Sequence, residues 1–148
     1  MIEPIDPITI DELLPLIRDY FKFYAIDGIT DESMRNFFSQ FGPSSDQGCL
    51  FAYRQKGGFV GFATVYFSYA SSVLGKVAVL NDLYTEERHR KQGVATALIN
   101  CCVDYAKQHN AKRLQWATAA SNQTAQSVYD SFGAKSSNWL FYTYAIES

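Results

Sequence analysis

The sequence predicts an α/β fold in which a mixed central β-sheet is flanked by helices, and three observations carry that expectation. Two amphipathic helical stretches come first, three β-rich runs follow in succession, and helical and β-rich segments then alternate to the end of the chain. At 148 residues, one core and a single domain spanning 1–148 are expected.

Each element has a local reason. Thr9-Ile10-Asp11-Glu12 has the form of a capping box, and Ile10, Leu13, Leu14, Ile17, Tyr20, Phe21 and Tyr24 recur at helical spacing, so a first helix is expected to run to Tyr24. Asp27-Gly28 breaks it, and Thr30 can cap a short second helix carrying Met34 and Phe38. Runs 50–53 and 59–66 are joined by Lys56-Gly57-Gly58 and read as a hairpin, with Gly61 marking a bulge or a close backbone approach. A third strand is expected over 77–84. A charged loop follows, then a helix starting near Gly93 with Ala95, Leu98, Ile99, Cys102 and Ala106 on one face and a stop at Asn110. Residues 114–118 read as a strand, 122–132 as a helix closed by Gly133, and 139–146 as a last strand.

Composition narrows the function. The formal net charge of −2 offers no basic footprint for a phosphate backbone, so nucleic acid is not an expected partner. The start of the chain lacks the basic and apolar regions of a signal peptide, and no apolar run has the length of a membrane span, so a cytoplasmic protein away from the membrane is expected. Cys49, Cys101 and Cys102 read as reduced, packed thiols, and with His89 and His109 they show no metal-ligand spacing.

The segment from Leu83 to Thr96 is the most informative. A strand ends, a charged loop intervenes, and a helix opens on Gly93; the first turn of a helix has unpaired N–H groups and the positive end of its dipole, which suits an anion. Gly93 and Ala95 keep that backbone approachable. The chain contains neither G-x-x-x-x-G-K-[ST] nor G-x-G-x-x-G, so P-loop and Rossmann readings are disfavoured.

Arg90-Lys91-Gln92-Gly93-Val94-Ala95 matches [RQ]-x-x-G-x-[GA], and Asn122, Ala125, Tyr129 and Gly133 match N-x-x-A-x-x-x-Y-x-x-x-G. In these motifs, and in Leu80-Asn81-Asp82-Leu83-Tyr84 before them, the chain resembles the GNAT superfamily of N-acetyltransferases, with its closest likeness to the diamine-acetyltransferase-like group. The resemblance implies a GNAT-like single domain using acetyl-CoA as co-substrate and no metal. It implies that the N–H groups of Lys91, Gln92, Gly93, Val94, Ala95 and Thr96 hold the pyrophosphate, with Arg90 opening the loop. Backbone groups of Leu83, Tyr84 and Thr85 would pair with the pantetheine arm, Asn122 would contact it, and Tyr129 would sit beside the sulfur.

The chemistry implied is attack of a neutral amine on the thioester, an oxyanion steadied by a backbone N–H, and departure of a thiolate that Tyr129 can protonate. Without the resemblance, Tyr129 reads as a ring packed on a sheet. The base is open. Asn81 stands where diamine-type relatives carry Glu, alternation places Asp82 on the face opposite Asn81, and Glu86, Glu87 or a water relay are alternatives; Asp82 is the first choice and Glu86 the second. The resemblance puts the amine near the N-terminal helices, where Asp19, Asp27, Asp31, Phe23 and Tyr24 offer charge and aromatic faces or merely a solvated rim. The acceptor read from this is a small-molecule amine, polyamine or amino-acid-like in kind. A protein N-terminus or lysine as acceptor, and a non-catalytic acyl-CoA-binding module, are the competing readings. Edge strands leave a homodimer open.

Overall fold

The computed structural model describes residues 1–147 and divides into two compact units, 1–117 and 118 onward. The first unit contains a five-stranded sheet in the order β1-β2-β3-β4-β5. These strands are β1 (Ile2–Ile5), β2 (Gly48–Gln55), β3 (Gly58–Ala70), β4 (Gly75–Thr85) and β5 (Leu114–Gln115). The first four are antiparallel in succession, and β5 lies parallel to β4, which makes the sheet mixed. Its helices are α1 (Ile10–Phe23), α2 (Asp31–Phe38) and α3 (Val94–Gln108).

Period-two alternation sorts the two faces. Leu50, Ala52 and Phe62 join the core cluster of Ile10, Leu13, Ile17, Met34 and Phe38 from α1 and α2. On the opposite face the Phe51 ring meets Tyr105 of α3 at 5.2 Å. Because helices cover both faces, Cys49–Ala52 of β2 and 59–65 of β3 are buried almost without interruption.

Several boundaries differ from the sequence expectation. β1 is an additional strand; Pro4 is tolerated because β1 lies at the sheet edge, where no further strand needs its missing N–H. The capping box at Thr9 does not form. Asp6 takes over instead, its Oδ1 accepting the N–H groups of Ile8 at 2.8 Å and Thr9 at 2.9 Å. The Thr30 cap does form, its hydroxyl accepting Ser33 N–H at 3.0 Å. On α3 the buried face is Val94, Leu98, Ile99, Cys102, Tyr105 and Ala106, with Ala95 only partly covered. Asn110 ends the helix in a left-handed conformation, φ +61°.

The second unit, taken by itself, holds α4 (Gln123–Ser131). Asn122 caps it, with Oδ1 accepting Ala125 N–H at 3.1 Å, and Gly133 follows at φ +82°. The strand expected over 139–146 is not formed: residues 134–147 have no ladder partner among the described residues, and β-rich composition without a partner strand does not make a strand. Likewise β5 spans two residues rather than 114–118, pairing only Ala78 with Leu114 and Val79 with Gln115.

Candidate active site

The candidate site forms in the first unit, where β4 leaves the sheet and α3 begins. Beyond Val79, among the described residues, β4 pairs with β3 alone, because the parallel β5 ladder has already ended. Glu86 N–H donates to the Val60 carbonyl at 2.8 Å, so backbone alternation turns the groups of Tyr84 towards β3 and those of Leu83 and Thr85 towards the open edge. Arg90 Nε donates to the Thr85 carbonyl at 3.0 Å, which agrees with that direction.

Lys91 at φ +62° and Gly93 at φ +83° both occupy the left-handed region and turn the chain sharply into α3. A β-carbon at Gly93 would meet nothing within 4 Å, so the glycine is required there by its backbone conformation and not by crowding. α1 and α2 carry acidic residues in their first turns, whereas α3 has none and no side-chain cap. The N–H groups of Val94, Ala95 and Thr96 thus begin a fifteen-residue helix with no carboxylate of its own to neutralise the dipole there.

Gly61 fixes where that helix sits: it is a close approach, and it also flanks a bulge, since Tyr53 pairs with Gly61 and Arg54 with Phe59, leaving Val60 over. A β-carbon there would lie 2.7 Å from Val94 Cγ1, 3.1 Å from the Tyr84 carbonyl oxygen and 3.3 Å from Leu98 Cδ1. Gly61→Val is therefore expected to cost about 1–3 kcal/mol in denaturant unfolding through overpacking. It should also weaken any ligand held at the α3 N-terminus; unchanged stability would show that the contact is slack.

A second cluster lies on the α1 face. Thr64 pairs with Asp82 and Val65 with Leu80, so Asn81 is an extra residue, a β-bulge. The bulge overturns the alternation argument. Asn81 and Asp82 do not point to opposite faces, since Asn81 Nδ2 donates to Asp82 Oδ2 at 3.1 Å. Thr64 Oγ1 also donates to Oδ2, at 2.5 Å, and Tyr20 Oη donates to Oδ1 at 2.7 Å. Three of the roughly four lone-pair positions of the carboxylate are filled, leaving Oδ1 able to accept one more proton or hydrogen bond. Burial, and then the bond to Asp82, push the Tyr20 hydroxyl well above the ordinary tyrosine range, so it stays a donor at neutral pH.

Tyr20 also anchors an aromatic cluster, its ring 5.4 Å from Phe62, 5.6 Å from Tyr84 and 5.1 Å from Tyr24. Phe23 lies 6.2 Å from Tyr84. The Arg90 guanidinium stands over both, 5.3 Å from the Phe23 centroid and 5.8 Å from that of Tyr84. Burial and then the carboxylates of Asp19 and Glu86 raise the Tyr84 hydroxyl, while Arg90 opposes them.

The structure thus brings together Asp82, Tyr84, Thr85, Arg90 and the α3 N-terminus. Tyr20 and Thr64 were missed from sequence, where Tyr20 reads as one more member of an apolar helical stripe. Glu86 is held by Arg88, whose Nε and Nη2 lie 3.0 and 2.8 Å from its Oε1. Asp31 is engaged by Arg18, and Asp27 is exposed. Asn122 and the half-buried Tyr129 lie in the second unit, at the start and in the last turn of α4. The thiols stand apart from this chemistry. Burial pushes Cys49 up to about 12 and also raises Cys101 and Cys102, so all three remain protonated and poorly nucleophilic. No metal-binding cluster occurs among the described residues, and no described helix is long and apolar enough to cross a membrane.

A mixed α/β sheet whose fourth strand lies beside a glycine-led helix is the fold of an acyltransferase. Residues 11–134 match the Acetyltransferase (GNAT) family, and the chain belongs to that family. An uncharacterized N-acetyltransferase, YhfO of Bacillus subtilis (strain 168), is 27% identical over 121 residues, 82% of this chain and 80% of the relative. The crystal structure of a probable acetyltransferase superposes with a TM-score of 0.84 at 28% identity, covering 100% of this chain and 99% of the other. The aminoglycoside N-acetyltransferase AAC(6')-Iy in complex with CoA superposes with a TM-score of 0.80 at 16% identity, covering 98% and 93%.

Proposed function

We propose that this protein transfers the acetyl group of acetyl-CoA to the primary amine of a small molecule by direct attack on the thioester. The observation that carries the reading is the junction itself, where the one-sided edge of β4 meets the acid-free N-terminus of α3. An edge strand pairs with an extended amide arm, and a helix N-terminus takes the pyrophosphate at its end. The CoA complex of the similarly folded aminoglycoside enzyme supports the same co-substrate.

In this reading Lys91, Gln92, Gly93, Val94, Ala95 and Thr96 hold the pyrophosphate through backbone N–H groups. Leu83 and Thr85 pair with the pantetheine amides, whereas the Tyr84 backbone, expected from the sequence to pair with them too, is turned towards β3. Asp82 takes the proton that the acceptor ammonium must lose before attack, through the remaining acceptor position on Oδ1. Glu86 is the weaker choice because Arg88 already occupies it. The new C–N bond forms as the C–S bond breaks, and Tyr129 protonates the departing thiolate while Asn122 steadies the arm. Residues 1–148 act as one acetyltransferase domain, a reading supported by a family match that runs through the division at 117. The enzyme works in the cytoplasm without metal, membrane or nucleic acid, and its edge strands allow a homodimer.

Amine-dependent release of CoA thiol from acetyl-CoA tests the reading, with small amines and peptides run side by side. Turnover of small amines supports it, turnover of peptides alone identifies a protein acetyltransferase, and tight acetyl-CoA binding without turnover identifies a binding module. Tyr129→Phe is expected to lower turnover on the order of 10²-fold with acetyl-CoA affinity nearly unchanged. Undiminished turnover would remove Tyr129 from the proton-transfer step.

A further inference from the structure

Arg90 occupies two places that the proposed reaction needs. Its Nε holds the Thr85 carbonyl, an acceptor on the open edge of β4, and its guanidinium covers the Phe23 and Tyr84 rings. Both ring distances fall within the roughly 6 Å over which a cation is attracted to an aromatic face. Arg90 is also the first residue of the loop that leads to the α3 N-terminus. A pyrophosphate seated there would offer the guanidinium a bidentate, doubly charged partner in place of one neutral carbonyl. Arg90 and Phe23 are both exposed, so the side chain can leave the rings without disturbing the core.

What Arg90 would leave behind is already suited to another cation. Tyr84 lies in the fields of Asp19 and Glu86, and Tyr20, 5.6 Å from Tyr84, holds Asp82. With Arg90 gone, aromatic faces remain among carboxylates that have lost a neighbouring positive charge.

We propose that Phe23 and Tyr84 form a cation seat that Arg90 fills in the free chain and gives up when acetyl-CoA binds, so that the co-substrate opens the seat to the acceptor's ammonium. The inference rests on the loop being the acetyl-CoA site. It makes Phe23 and Tyr84 specificity-determining for an amine that is charged on arrival, and it makes Arg90 the link between the two substrates. By linkage, acetyl-CoA and the amine then strengthen one another's binding.

A double-mutant cycle read by calorimetric titration of acetyl-CoA tests the exchange. Phe23→Leu removes the nearer of the two competing ring contacts, and the exposed site keeps the fold safe. It should tighten acetyl-CoA binding by about 2- to 5-fold, the range for an exposed cation–π contact. Arg90→Ala should weaken binding, and adding Phe23→Leu to it should change nothing further. Unchanged or weaker binding in Phe23→Leu, or the same gain without Arg90, overturns the proposal. The Arg90 Nε–H resonance gives a second readout, since its nuclear Overhauser contact with the Phe23 ring should vanish on addition of acetyl-CoA. If acetyl-CoA binds and the contact persists, the exchange is wrong while the loop reading stands; if acetyl-CoA does not bind at all, both fall.

Discussion

Asp82→Asn is expected to lower kcat/KM for the amine by about 10²–10⁴-fold near neutral pH, the usual contribution of a positioned base. The substitution keeps the size of the side chain and an Oδ1 that can accept the Tyr20 hydroxyl, as the carboxylate does at 2.7 Å. Thr64 Oγ1 can rotate to accept from the new amide. What the variant loses is the ability to take a proton. A free amine needs no base, so the variant should recover as pH rises towards the amine's own pKa, about 10.4 for a lysine-like amine. A pH–rate profile therefore separates the roles: recovery at high pH supports Asp82 as the proton acceptor, whereas a uniform loss at every pH makes it a structural acceptor. Activity within about tenfold of the wild type at pH 7, less than the low end of that contribution, would remove Asp82 from the mechanism.

Ala95→Trp is expected to weaken acetyl-CoA binding by at least roughly 100-fold, about 2.8 kcal/mol. Ala95 is the second residue of α3 and only partly covered, while its neighbour Val94 faces the core against Gly61. An indole at position 95 projects outward over the first-turn N–H groups, so the fold is preserved and the anion is excluded. Calorimetric titration with a thermal melt on the same sample distinguishes the cases. Lost binding at wild-type stability places the pyrophosphate on α3, and retained binding places it elsewhere.

The local order of the chain was legible wherever a short-range rule decides it. Periodicity gave α1 and α3, Lys56-Gly57-Gly58 gave the β2–β3 hairpin, and Gly61 signalled the close approach that seats α3. Weak local signals failed in both directions. The four-residue β1 contains a proline and is a strand only because β2 supplies its ladder, while 139–146 has strand composition and no ladder partner among the described residues. At Thr9 a motif of the right form lost to the neighbouring Asp6 carboxylate, a competition among side chains that a capping pattern does not encode.

The sequence by itself determined the family, through the spacing of Arg90, Gly93 and Ala95 and of Asn122, Tyr129 and Gly133, because each set of intervals lies within one loop-and-helix segment and is readable without knowledge of the packing. Tertiary structure alone decided the surroundings of Asp82. The bulge at Asn81 reverses the face that strict alternation assigns, and Tyr20 reaches Asp82 from 62 residues away. It also decided that Arg90 rests on Phe23 and Tyr84. Such contacts depend on how α1 packs across the sheet, and that packing is fixed by the sum of buried apolar surface rather than by any local interval in the chain.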